Sequence, residues 1–123
     1  MSKLVDDFFA AVSTMTGDGP IKHRLIKAFE ENLQTVEDGN LPPSARKSFA
    51  ELRRMMKNVA PLNGEGPIRA TVRKMSVRDA ELCSQLMLDM LVELIRHIDS
   101  GQKPLPLQVG ERPLVPPFLV KSG

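Results

Sequence analysis

The sequence predicts an all-α protein, a bundle of four to five helices followed by a proline-rich, extended C-terminal tail. Its apolar residues recur every three or four positions, which is the spacing of amphipathic helices rather than of strands. Trp and Tyr are absent, and only 4% of the 123 residues are aromatic, whereas strands favour aromatic and β-branched residues. We therefore expect one helical domain over residues 1–101 and a tail over residues 102–123.

Two helices are predicted before residue 41. An apolar stripe over residues 4–12 predicts a first helix that ends near Thr16-Gly17. A second helix should begin at Gly19-Pro20 and continue through Val36, because proline is tolerated in the first turn of a helix. The following Asp38-Gly39-Asn40 has the composition of a helix stop.

Prolines and glycines set the boundaries of the next two helices. One helix is expected to start at Leu41-Pro42-Pro43 and to end before Pro61. Residues 60–67 have the composition of a loop. Residues 68–75 then supply two further helical turns, because their apolar residues lie three or four positions apart.

The last predicted helix is the longest. Ser76 and Asp79 have the spacing of a capping box, and the helix should continue to Asp99 and stop at Gly101. Whether the chain bends at Ser76 or runs straight on is left open. The apolar arc of this helix is wide, so we expect it to lie at the centre of the bundle. This arc comprises Ala80, Leu82, Cys83, Leu86, Met87, Met90, Leu91, Leu94, Ile95 and Ile98.

The tail differs from the rest of the chain in composition. Residues 104–117 contain five prolines, which exclude helix and favour extended backbone. The tail also carries eight large apolar residues, more than a solvated linker would have. We therefore expect part of it to dock, either on the bundle or on a partner.

No residue pattern predicts a catalytic, metal or cofactor site. The single cysteine, Cys83, lies among apolar residues and is expected to be a buried, unreactive thiol. His97 follows Glu93 by four residues, but no third group completes a catalytic arrangement, and a histidine near a helix C-terminus has a simpler explanation in the helix dipole. An enzyme is therefore the third hypothesis, and it requires His97 or Cys83 to lie exposed beside a pocket.

The seven methionines leave open a flexible binding groove. Four of them have core spacing, whereas Met55 is expected to lie toward the surface because Met56 faces inward. Methionines in an ordinary core remain the simpler interpretation. The four with core spacing are Met56, Met75, Met87 and Met90.

Positive charge is concentrated in the middle of the chain. Residues 41–78 hold nine basic and two acidic residues, a net charge of +7, whereas the whole chain carries +2. The helical segments on either side are net acidic, so part of this charge should pair internally. Helical spacing nevertheless predicts a basic surface opposite the core. The residues assigned to this surface are Arg46, Arg53, Arg54, Lys57, Arg69, Arg73 and Lys74.

This surface predicts a non-enzymatic interaction module that binds an acidic protein partner. The alternative is sequence-tolerant nucleic-acid binding by the same side chains, although residues 60–67 form a longer loop than the turn of a helix-turn-helix. Neither a signal sequence nor a membrane span is recognised, which favours a cytoplasmic protein without a membrane contact. The sequence leaves the partner's identity and a homo-oligomer open.

Several short motifs resemble those of a set of small, uncharacterised bacterial helical proteins. The motifs are Ile21 with Arg24-Leu25, Leu41-Pro42, Phe49, Gly66-Pro67-Ile68 and Val72-Arg73-Lys74-Met75-Ser76. The resemblance covers about residues 20–100. It implies a bacterial cytoplasmic helical domain, and it implies no activity, ligand or catalytic residue.

Overall fold

The computed structural model describes residues 3–61 and 64–102, and the side chains of residues 100–102 are left out of the description. Within these ranges the chain forms five α-helices and one 3-10 turn, Asp38–Asn40, so the predicted all-α bundle is confirmed. The predicted tail beyond residue 102 lies outside the described residues. The helices are α1 Lys3–Met15, α2 Ile21–Asn32, α3 Pro43–Lys57, α4 Pro67–Lys74 and α5 Val77–Gln102.

The helices enclose one apolar core. α5 packs against α1, α2 and α3, which confirms its predicted central place, while α4 packs against α2 and α3. Phe8, Phe29 and Phe49 are buried in this core. The rings of Phe8 and Phe49 meet edge to face with their centroids 5.9 Å apart, a favoured geometry for aromatic pairs. The core therefore joins α1 to α3 beneath α5.

α2 ends before its predicted limit at Val36. The Phe29 carbonyl accepts hydrogen bonds from the N–H groups of both Leu33 and Gln34 at 2.9 Å, and this closes the helix. Val36 is still buried, but its backbone belongs to the loop that follows. The apolar periodicity therefore continues past the end of the helix, because a loop residue fills the next core position.

The chain breaks between α4 and α5. Met75 has an extended backbone, with ψ of 149°, and the Ser76 hydroxyl accepts a hydrogen bond from the Asp79 N–H at 3.0 Å. This bond satisfies one of the free N–H groups at the start of α5. The capping motif therefore separates two helices instead of lying within one. None of the helices in the described ranges is long and apolar enough to cross a bilayer.

Candidate functional site

The seven basic residues predicted to bind a partner lie in separate places. Two contact the loop that precedes α3, two lie on the face of α4 near α2, and two line a cleft where α3, α4 and α5 meet. The seventh, Lys57, is exposed in the last turn of α3. Four of the five arginines in this set form ion pairs with carboxylates of the chain itself.

Arg46 and Arg53 connect α3 to the loop that precedes it. The Arg53 guanidinium lies 3.0 Å from an Asp38 carboxylate oxygen and donates to the Val36 carbonyl at 3.1 Å. Arg46 donates to the Leu41 carbonyl, also at 3.1 Å. Because both side chains satisfy loop carbonyls, they have a structural role whether or not they also contact a partner.

Arg69 and Arg73 share one face of α4, as their spacing predicts. Arg69 donates from Nε and Nη2 to the two carboxylate oxygens of Glu30, at 3.2 and 3.0 Å. Arg73 donates to Glu65 in the same two-point manner, and this hydrogen bonding holds the pKa of Glu65 below its ordinary value. These bonds occupy the guanidinium edge that a partner's carboxylate or phosphate would use.

A cleft of about 420 Å³ lies where the ends of α3 and α4 meet the start of α5; we call it the α3–α4–α5 cleft. Its apolar lining is formed by Met55, Val59, Met75 and Leu82. Its charged lining is formed by Glu51, Arg54, Lys74 and Asp79. The cleft therefore combines apolar contact area with charged groups of both signs.

Thr71 holds the back of this cleft together. It is buried, and its hydroxyl accepts a hydrogen bond from the Val59 N–H at 3.0 Å. This bond fixes the chain leaving α3 against α4. Beyond α4, the extended backbone of Met75 redirects the chain into α5. The ends of α3 and α4 and the start of α5 therefore come together and leave a cleft between them.

The apolar part of the cleft is open to solvent at one side. Leu82 is 49% exposed and Met55 is half-buried, whereas Met75 lies deeper, at 8% exposure. The inward position expected for Met75 is confirmed, whereas Met55, expected toward the surface, is only partly exposed and packs against the core. Leu82 and Ile95 were expected within the covered arc of α5, and this expectation is wrong, because they are 49% and 43% exposed.

Three exposed cations that form no ion pair in the described chain lie at the helix ends near the cleft, and one of them, Lys74, lines it. Arg54 pairs with Glu51 one turn away on α3 at 2.6 Å, and this hydrogen bonding lowers the pKa of Glu51. No carboxylate in the described part of the chain forms an ion pair with Lys57, Lys74 or Arg78. These three cations are exposed, and they lie at the end of α3, the end of α4 and the start of α5.

Of the two residues considered for catalysis, only His97 lies exposed beside a cavity. Cys83 is fully buried, and burial, together with the nearby Asp79 carboxylate, raises the pKa of its thiol to about 11. His97 is exposed and lines a cavity of about 370 Å³ between α1, the loop before α3 and α5, so it meets the position that the enzyme hypothesis required. The other residues that line this cavity carry no titratable side chain, and Glu93 accepts a hydrogen bond from the Ser44 hydroxyl at 2.7 Å. No cluster of three His, Cys, Asp or Glu side chains suited to a metal is present within residues 3–61 and 64–102.

None of the family models, curated proteins or solved structures compared with this chain is similar to it. The resemblance to bacterial helical proteins therefore stays a prediction. The candidate site rests on its own geometry: a half-open apolar cleft lined in part by Lys74, a cation that forms no ion pair in the described chain.

Proposed function

We propose that the protein is a non-enzymatic interaction module that binds an acidic segment of a partner protein in the α3–α4–α5 cleft. The observation that carries this proposal is the open apolar lining around Leu82 beside Lys74, a cation without an internal ion-pair partner in the described chain. Lys57 and Arg78 add positive charge on the neighbouring helix ends.

The cleft suits a short segment with one apolar anchor. Its volume of about 420 Å³ lies near the lower end of ligand pockets, so it can take one or two side chains rather than a whole helix face. Met55 and Met75 can repack around anchors of different shape, because the methionine side chain is flexible and polarizable. A carboxylate on the Lys74 side of that anchor would gain charge complementarity, whereas Glu51 and Asp79 on the lining would repel one placed on their side, so the charges also fix the orientation of the segment.

The distribution of the arginines favours a protein partner over nucleic acid. A nucleic-acid surface needs several cations along one backbone track, whereas Arg46, Arg53, Arg69 and Arg73 lie away from the cleft and donate to groups of the chain itself. A phosphate backbone would have to compete with these internal contacts. Sequence-tolerant nucleic-acid binding remains the alternative prediction.

Peptide display on the intact protein tests the proposal directly. A phage library of short random peptides is selected against the protein, and the enriched peptides are labelled and titrated by fluorescence polarisation. We expect the selected peptides to carry Asp or Glu around a single apolar residue. Because both interactions are made in the cleft, Lys74→Glu and Leu82→Ser should each lower affinity by at least ~10-fold.

Lys47→Glu is the matched control. Lys47 is exposed on α3, two turns before Met55, and it does not line the cleft. The same change of charge there should alter affinity by less than ~2-fold. Enrichment of basic peptides, failure to enrich any peptide, or equal effects of Lys47→Glu and Lys74→Glu would overturn the proposal.

The same titration with duplex and single-stranded oligonucleotides distinguishes peptide binding from the alternative, nucleic-acid binding. Binding to nucleic acid should weaken steeply with salt, with log affinity falling by about 0.9 per phosphate contact for each unit of log salt concentration on duplex. Our proposal expects no oligonucleotide binding at low salt that competes with the selected peptides. Competition with a steep salt dependence would instead support nucleic-acid binding.

A further inference from the structure

The outer face of α5 carries an apolar stripe outside the core. Leu88, Val92 and Ile95 are 41%, 38% and 43% exposed. Their spacing of four and three residues places them on one face of the helix over two turns. Neighbouring apolar side chains exposed on one face of a helix mark an interaction surface more often than scattered single residues do.

The charges beside this stripe have the arrangement that a second copy requires. Asp89 and Arg96 lie seven residues apart, so they occupy the same side of the stripe with opposite signs. Arg96 has no ion pair within the described chain. One oxygen of Asp89 accepts from the Gln85 amide at 2.8 Å, which leaves the other oxygen for a partner.

A two-fold axis near Val92 would bring together both the apolar stripes and the opposite charges of two copies. If two α5 helices pack antiparallel, Leu88 of one copy faces Ile95 of the other, and Asp89 of one copy faces Arg96 of the other. The midpoints of the two residue pairs both fall within one residue of Val92. The apolar midpoint lies just before Val92 and the charged midpoint just after it, so both pairs are compatible with one two-fold axis at Val92, as a self-complementary interface requires.

We propose that the outer face of α5 forms an antiparallel homodimer in which Val92 packs against its own copy. A partner with charge of one sign would satisfy either Asp89 or Arg96 and repel the other, whereas a second copy satisfies both. The interface has three apolar side chains per copy, so the dimer is weak and dissociates on dilution. The two proposals concern different positions along α5, because Leu82 lies ten residues, almost three turns, before Val92, although it shares the flank of the helix that carries Asp89.

Sedimentation equilibrium of the full chain over a range of concentrations tests the dimer. We expect the mass to rise on concentration from 13.6 kDa to twice that value. Val92→Glu places two carboxylates against each other on the two-fold axis, so it should raise the dissociation constant by at least ~100-fold. Phe9→Glu introduces the same charge at an exposed apolar position on α1, outside both the stripe and the cleft, and it should leave the constant unchanged.

The register is tested by charge exchange and by cross-linking. Arg96→Asp should raise the dissociation constant about 10-fold, and adding Asp89→Arg to it should restore the original value, because the pair is re-formed with its signs exchanged. On oxidation, Val92→Cys should form a disulfide-linked dimer, and Leu82→Cys should not. The native Cys83 is buried and does not compete.

Circular dichroism on each variant checks that the protein is still folded, so that a monomeric variant has lost the interface and not the fold. A wild-type protein that stays monomeric at the highest concentration overturns the proposal and assigns the stripe to another occupant. A dimer that tolerates Val92→Glu, or one that fails to cross-link through Val92→Cys, overturns the antiparallel interface on α5.

Discussion

α5 presents apolar residues to two different environments. On its inner side, Met87 is fully buried and Leu94 is 3% exposed, beneath α1, α2 and α3. On its outer side, Leu88, Val92 and Ile95 are each about 40% exposed. The two faces have similar composition, so apolar character alone does not decide burial on this helix. The number of neighbouring helices decides it, and the three helices that pack against α5 cover only part of its apolar arc.

This difference separates residues that stabilise the fold from residues available for association. A side chain surrounded by the core loses van der Waals contacts and leaves a cavity when it is shortened. A half-exposed side chain leaves no cavity, because solvent fills the space. The two faces of α5 should therefore respond differently to the same truncation.

Truncation of adjacent residues on α5 should give the largest contrast. Met87→Ala should lower the free energy of unfolding by about 2–5 kcal/mol, because it opens a cavity in the buried core. Leu88→Ala, one residue further along, should change it by less than about 0.5 kcal/mol. Urea unfolding followed by circular dichroism measures both, at a protein concentration low enough to avoid association. Similar losses for the two variants would show that the outer face is covered in solution.

Thiol labelling should show the same contrast at the start of α5. Cys83 is fully buried and its thiol has a pKa of about 11, so it reacts slowly with iodoacetamide while the protein is folded. A variant combining Leu82→Cys with Cys83→Ala moves the only thiol to the exposed neighbouring position. At a mildly alkaline pH the wild type should react at least ~100-fold more slowly than this variant. Equal rates would mean that this part of α5 opens to solvent readily.

The features predicted best from the sequence are helix boundaries that depend on residues close by in the chain, such as prolines and capping residues. The start of α5 at Ser76 and the end of α3 before Pro61 both follow from residues that terminate or cap helices. The end of α2 was placed too late, because Val36 fills a core position from the loop that follows. Periodicity reports which residues face the core, and it does not report whether the backbone that carries them is helical.

The candidate site was harder to predict because it depends on contacts between distant segments. Spacing correctly placed Arg69 and Arg73 on one face, but the pairing of Arg69 with Glu30 joins residues 39 positions apart. The cleft likewise combines side chains from three elements, among them Met55 and Leu82. A helical wheel treats each helix separately. It therefore does not show that an arginine pairs with a carboxylate from another helix, nor which apolar residues the neighbouring helices leave exposed.

The exposed ion pairs should give the smallest effect, and pH distinguishes it from a core effect. Hydrogen bonding by Arg73 lowers the pKa of Glu65 in the folded protein, so the folded state binds fewer protons than the unfolded state. The pair therefore stabilises the fold above the ordinary glutamate pKa of about 4.3, and this contribution is lost as the pH falls through the lower, folded pKa. Glu65→Gln should slightly lower the urea midpoint at neutral pH, and this difference from the wild type should shrink at acidic pH as Glu65 becomes protonated in the folded protein. The loss caused by Met87→Ala, which has no titrating group, should be the same at both pH values. An effect of Glu65→Gln that persists at the lower pH would mean that Glu65 acts through packing rather than through its charge.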